Sequence, residues 1–88
     1  MVKCSDGSLY TGWTLNAEQR VRLHNSGRGA KYTRSRLPVT LVYLEQTDEK
    51  IAAMKREAAI KKLNPSQKRQ LIESDGNLVE LYKKGMKE

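Results

Sequence analysis

Asp6-Gly7, set between two short runs of strand-forming residues, is the feature that most constrains how this chain can fold. Glycine reaches the positive φ that a tight turn needs, so Met1–Cys4 and Ser8–Thr14 are predicted as the two arms of an antiparallel hairpin. Strand alternation then places Leu9, Thr11 and Trp13 on one face of the second arm, with Tyr10 and Gly12 on the other. A hairpin opening an 88-residue chain leaves room for one small domain, and its core must be thin, because there is no Phe and a single Trp.

The next signal is a helix. Asn16 is a natural N-cap, Gln19 stands at capping-box spacing, and Gly27 follows the last helical position, near Asn25. Asn25 to Pro38 has no periodicity and is long for a connection in a small domain, a length that marks functional or disordered loops. Val39 to Glu45 reads as a strand. Thr47 or Asp48 is expected to cap a second helix through about Leu63, with Lys61 and Lys62 at the negative end of its dipole. Asn64-Pro65 restarts a helix that Gly76 stops, and Asn77 to Lys84 forms a last one ended by Gly85. The expected fold is α+β: a short, three-stranded, mainly antiparallel sheet flanked by helices, with an added C-terminal helix. Residues 1–73 would make the domain and 74–88 its helical extension.

Seventeen basic against ten acidic residues leave a net charge of +7, which favours polyanions such as nucleic acid, although a solvated basic surface would have the same composition. The single cysteine, Cys4, excludes an internal disulfide or a Cys-based zinc site within one chain and fits a reducing, cytoplasmic setting without a disulfide-linked partner. No apolar run approaches the roughly twenty residues that cross a bilayer, and no signal-peptide segment is present, so no membrane role is expected.

Arg20 and His24 are four apart and share one helix face. The planar guanidinium stays charged and can clamp a phosphate through two parallel hydrogen bonds. Imidazole can hydrogen-bond a phosphate or move a proton near neutral pH. Taken alone, an exposed arginine and a helix histidine making local contacts explain this spacing better, since such spacings are common by chance. Arg28, Lys31, Arg34 and Arg36 follow without an intervening acid and with Tyr32 among them, a pattern suited to phosphate neutralisation and base stacking. Glu57, mid-helix, is chemically able to hold Mg²⁺, but Lys61 at i+4 is positioned to pair with it instead.

Three stretches give these residues a context: Tyr10-Thr11-Gly12 ahead of Arg20 and His24, Gly27-Arg28-Gly29-Ala30-Lys31-Tyr32-Thr33-Arg34, and Lys55-Arg56-Glu57. In this order they resemble the GIY-YIG nuclease domain, as found in small stand-alone bacterial proteins, over nearly the whole chain. The resemblance implies that Tyr10, Arg20 and His24 serve one catalytic site and that Gly12 is its structural glycine. It also implies that Glu57 holds one divalent ion, Mg²⁺ or Mn²⁺, and that the basic segment binds nucleic acid, DNA foremost. The expected activity is metal-dependent endonuclease hydrolysis of DNA phosphodiesters. The family's first tyrosine, a general-base candidate, would fall ahead of Met1, so poor cleavage by this N-terminally short form is expected. Two alternatives stay open: a non-catalytic nucleic-acid-binding module with the same basic face, and an interaction protein using the stripe Leu78, Val79, Leu81 and Tyr82.

Overall fold

The computed structural model describes residues 1–86; the last two positions of the expected 74–88 extension lie outside them. The elements are β1 (Val2–Lys3), β2 (Leu9–Tyr10), α1 (Ala17–Asn25), α2 (Lys31–Arg34), β3 (Thr40–Leu41), α3 (Lys50–Lys61), α4 (Pro65–Ile72) and α5 (Val79–Met86). The architecture is α+β, with a three-stranded sheet in the order β2-β1-β3 and both pairings antiparallel. The chain forms two compact units, Met1–Leu41 and the residues from Val42 onward.

In the first unit the hairpin forms where Asp6-Gly7 predicts it. Val2 faces Tyr10 and Lys3 faces Leu9. Cys4 N–H donates to the Ser8 carbonyl at 2.8 Å, and Gly7 turns the chain at φ +84°. Both arms are shorter than expected, because pairing stops at Tyr10 and the chain leaves the sheet through Thr11 and Gly12. The Asn16 side chain caps α1 by accepting from Gln19 N–H at 3.0 Å. The return half of the box comes from elsewhere: Asn16 N–H donates to the Thr14 hydroxyl. Gly27, at φ +83°, ends the helix, with its N–H on the His24 carbonyl and that of Arg28 on Leu23.

Two expectations are corrected in this unit. The supposed loop Asn25 to Pro38 contains the single helical turn α2, which four residues are too few to reveal by periodicity. The strand Val39 to Glu45 pairs only at Thr40 and Leu41. The reason lies in two asparagines that take over the backbone's hydrogen-bonding groups. The Asn25 amide accepts from Val39 N–H at 2.7 Å and donates to its carbonyl at 3.1 Å. In the second unit, Asn77 accepts from Leu44 N–H and donates to the Val42 carbonyl. A side-chain amide offers the same donor and acceptor as a peptide, so these segments are satisfied without a neighbouring strand.

Boundaries shift in the second unit too. α3 starts at Lys50 after Glu49, which makes no side-chain cap bond, so neither Thr47 nor Asp48 is the cap, and the helix stops at Lys61. α4 has the full capping box, Asn64 with Gln67, and ends at Ile72 instead of running to Gly76. Asn77 then accepts from Val79 N–H and donates to the Ile72 carbonyl, which fixes the chain between α4 and α5. α5 begins two residues later than expected and continues through Gly85 to Met86. Of its apolar stripe, Val79 is buried, Leu78 and Tyr82 are half-buried, and Leu81 is exposed. No helix among the described residues is long and apolar enough to cross a membrane.

Candidate active site

The first unit assembles a cluster around His24. The imidazole sits on the last turn of α1 and is only 2% exposed. Its Nδ1 lies 2.8 Å from the hydroxyl of Thr33 on α2, a residue with no exposed surface at all. Gly29 lets α2 come this close: a Cβ there would lie 2.8 Å from both Cα and Cγ of His24 and would overlap Nδ1. Tyr10, from β2, meets the imidazole edge-on, with ring centroids 5.6 Å apart and planes at 70°.

Tyr10 also stacks on Tyr32, centroids 5.9 Å apart, and the Arg36 guanidinium lies 3.9 Å over the Tyr32 ring. Arg36 further donates to the Tyr32 carbonyl at 2.6 Å and to Asp6 Oδ2 at 3.0 Å. It therefore ties α2 back to the hairpin turn. Sequence order hid this partnership, since Asp6 and Arg36 are thirty positions apart. Arg28, Lys31 and Arg34 are exposed and form no ion pair among the described residues. Their ammonium and guanidinium groups face solvent, whereas Arg36 and the ring of Tyr32 are already engaged inside the unit.

Arg20, one turn before His24, is half-buried, and its guanidinium has no hydrogen-bond or salt-bridge partner among the described residues. Burial, and secondarily the Arg20 charge, hold the His24 pKa below its ordinary value. The ring is thus favoured in its neutral form. Gly12 is exposed, and a Cβ there would meet the Tyr10 ring at 3.4 Å, an ordinary contact. Among the described residues that is the one neighbour within 4 Å, apart from the adjoining residues of the chain. The Thr11 hydroxyl, between Tyr10 and Gly12, is buried with no hydrogen-bond partner among the described residues.

Glu57 belongs to the second unit. It lies mid-α3, half-buried, with Lys61 Nζ 3.1 Å from Oε1 in the i,i+4 pair its spacing allowed. Nearby on the same helix, Arg56 pairs with Glu45, which also accepts from the Tyr43 hydroxyl. Among the described residues no three His, Cys, Asp or Glu side chains gather as a metal cage. Glu57 alone fits only an ion such as Mg²⁺ that keeps its waters and completes its shell with substrate phosphate.

The depressed His24 pKa has a consequence for stability. Its sign follows from the unfolded chain binding the proton more tightly, so the stabilisation is complete above the unfolded value of about 6.5 and is lost as pH falls through the folded value. Urea midpoints should therefore drop as pH falls below about 6.5. His24→Gln should flatten that part of the profile. The Met1 amino group, pushed down to about 6 by burial, adds a loss of the same sign between pH 8 and 6, which is common to both proteins and cancels in the comparison. Parallel profiles for the two proteins would show that His24 is not buried in its neutral form.

Comparison with known proteins points in one direction. Residues 1–70 match the family model described as the GIY-YIG catalytic domain. A UPF0213 protein of Clostridium perfringens is 55% identical over 84 residues, spanning 96% of this chain and 90% of that one. One from Syntrophus aciditrophicus is 54% identical over 76 residues, covering 85% of this chain and 87% of its own length. The solution NMR structure of a UPF0213 protein from Bacillus halodurans superposes with a TM-score of 0.54 at 43% identity, covering 85% of this chain and 80% of that one.

Proposed function

The chain belongs to the GIY-YIG family of catalytic domains, and on that premise we propose that it is a cytoplasmic, divalent-metal-dependent endonuclease acting on DNA phosphodiesters. The observation that carries this reading is the joining of Tyr10, His24 and Arg20: a buried neutral imidazole against a strand tyrosine, one helical turn from an arginine without a side-chain partner among the described residues. Hydrolysis needs a water deprotonated and aimed at phosphorus, charge neutralised on the phosphate, and a proton for the leaving oxygen. The Arg20 fork binds the scissile phosphate and stabilises the charge that grows on it. The Tyr10 hydroxyl orients water, and the imidazole of His24 exchanges the proton.

Glu57 is the carboxylate that would hold one Mg²⁺ or Mn²⁺, with Lys61 released from its ion pair on binding. When bound, the ion would supply Lewis-acid stabilisation of phosphate charge. Arg28, Lys31 and Arg34 bind the DNA backbone without reading its sequence. Arg36 and Tyr32 support them by fixing the segment to the hairpin through Asp6.

The test is cleavage of end-labelled single-stranded, nicked and branched DNA with Mg²⁺ and with chelator. Weak metal-stimulated cleavage that disappears in Glu57→Ala, with low-salt binding retained, is the expected result. Affinity should fall steeply with added salt, and neutralising Lys31 and Arg34 together should reduce the slope of log K against log salt by about one for each phosphate no longer neutralised. Salt-dependent binding without cleavage of any substrate would replace the nuclease reading by the binding-module alternative. Absence of both would remove nucleic acid as the partner.

A further inference from the structure

We propose that Thr33 is a positioning residue that holds neutral His24 in the Nδ1–H tautomer, so that Nε2 is the nitrogen that takes up and gives back the proton. The inference rests on the nuclease reading for its purpose but not for its geometry. The Thr33 hydroxyl has two close neighbours, Nδ1 of His24 at 2.8 Å and the carbonyl oxygen of Ala30 at 2.9 Å. A hydroxyl carries one proton, and a carbonyl oxygen can only accept. Were that proton directed at Nδ1, two oxygens would face each other at 2.9 Å with nothing between their lone pairs. Both short approaches hold a proton in one arrangement alone: Nδ1–H donates to Oγ1, and Oγ1–H donates to the Ala30 carbonyl.

Burial makes this arrangement binding on the ring. Thr33 has no exposed surface and His24 almost none, so water does not compete for either bond. The same two bonds survive when the ring is protonated, since Nδ1 is a donor in both states. Proton gain and loss therefore occur at Nε2. The hydrogen bond made by one imidazole nitrogen determines what the other can do, which is how histidine bases are set in enzymes generally. A neutral ring with a lone pair at Nε2 repels a phosphate oxygen and accepts a proton. Of the two roles that sequence left open for His24, phosphate donor and proton carrier, this geometry selects the second. The phosphate falls to Arg20.

The test needs no substrate. In ¹⁵N-histidine-labelled protein above the pH of His24 titration, two-bond ¹H–¹⁵N correlations identify which nitrogen bears the proton. Wild type should show a protonated Nδ1 and an unprotonated Nε2. Thr33→Val, which keeps the shape and removes the hydroxyl, should move the ring toward the Nε2–H tautomer, and Thr33→Ser should keep the wild-type pattern. An Nε2–H ring in wild type overturns the proposal, and so does a Thr33→Val spectrum indistinguishable from wild type. If Thr33→Val does not fold, wild type and Thr33→Ser still decide, because both must show the Nδ1–H ring. In cleavage assays Thr33→Val should lower kcat about tenfold or more, short of the 10²–10⁴ that general-base help is worth outright, with KM little changed. A tautomer that responds to Thr33 in a protein that cleaves no DNA would leave this positioning role standing while removing the nuclease reading.

Discussion

Arg20→Ala should lower the rate of DNA hydrolysis by about 10²–10³, the usual cost of deleting one preorganised donor to developing oxyanion charge. Arg20→Lys should fall between, because an ammonium keeps the charge but cannot make two parallel bonds to one phosphate. KM should change less than kcat if the guanidinium binds the transition state better than the ground state. A second readout is independent of turnover. The Arg20 charge is the smaller of the two influences that depress the His24 pKa, burial being the larger. In Arg20→Ala that pKa should therefore rise but stay below its ordinary value, as an NMR titration of the ring would show. A rate within a few-fold of wild type would remove Arg20 from the site. A His24 pKa that does not move would mean that the two side chains do not share a local field.

What the sequence disclosed, and what it hid, divides by the range of the interaction. Asp6-Gly7, the Asn16 cap and the Asn64-Pro65 start act within a few residues, so their signatures are written locally and the hairpin and two helix starts follow from them. The Glu57–Lys61 pair is likewise an i,i+4 relation readable from spacing. Tyr10, Arg20 and His24 could be singled out because motif order joins them; the edge-on contact of Tyr10 with His24 could not be read there. Thr33 was missed because its bond to His24 spans nine positions and a threonine in a basic segment carries no signal of its own. Arg36 looks like one more free cation in the sequence, and only the fold brings its partner, in the hairpin turn, beside it. Asn25 and Asn77 were invisible for a related reason. Each replaces a strand partner, and only tertiary structure shows that the backbone beside it lacks one. This also explains why the third strand was overestimated: residues with strand propensity were counted as paired where an amide side chain had taken the bonds.

The largest effect on folding should come from the smallest substitution, Gly29→Ala. The added methyl would lie 2.8 Å from Cα of His24, a backbone atom that cannot move without displacing α1. It would also press on the ring where Nδ1 meets the Thr33 hydroxyl. Overpacking of this kind costs about 1–3 kcal/mol, and displacement of the ring adds the loss of a buried hydrogen bond, about 1 kcal/mol. For a domain of this size each kcal/mol lowers Tm by roughly 4–8 °C. Gly76→Ala is the control. Nothing lies within 4 Å of a Cβ there and φ is not in the left-handed range, so its effect should stay within about 0.5 kcal/mol. Equal urea midpoints for the two variants would show that α2 does not press against α1 as described. His24→Ala combined with Gly29→Ala refines the cause. Deleting the ring removes the clash with Nδ1 and Cγ but not the one with Cα, so the double variant should recover part of the loss and no more. Full recovery would place the whole strain in the imidazole, and no recovery would place it in the backbone of α1.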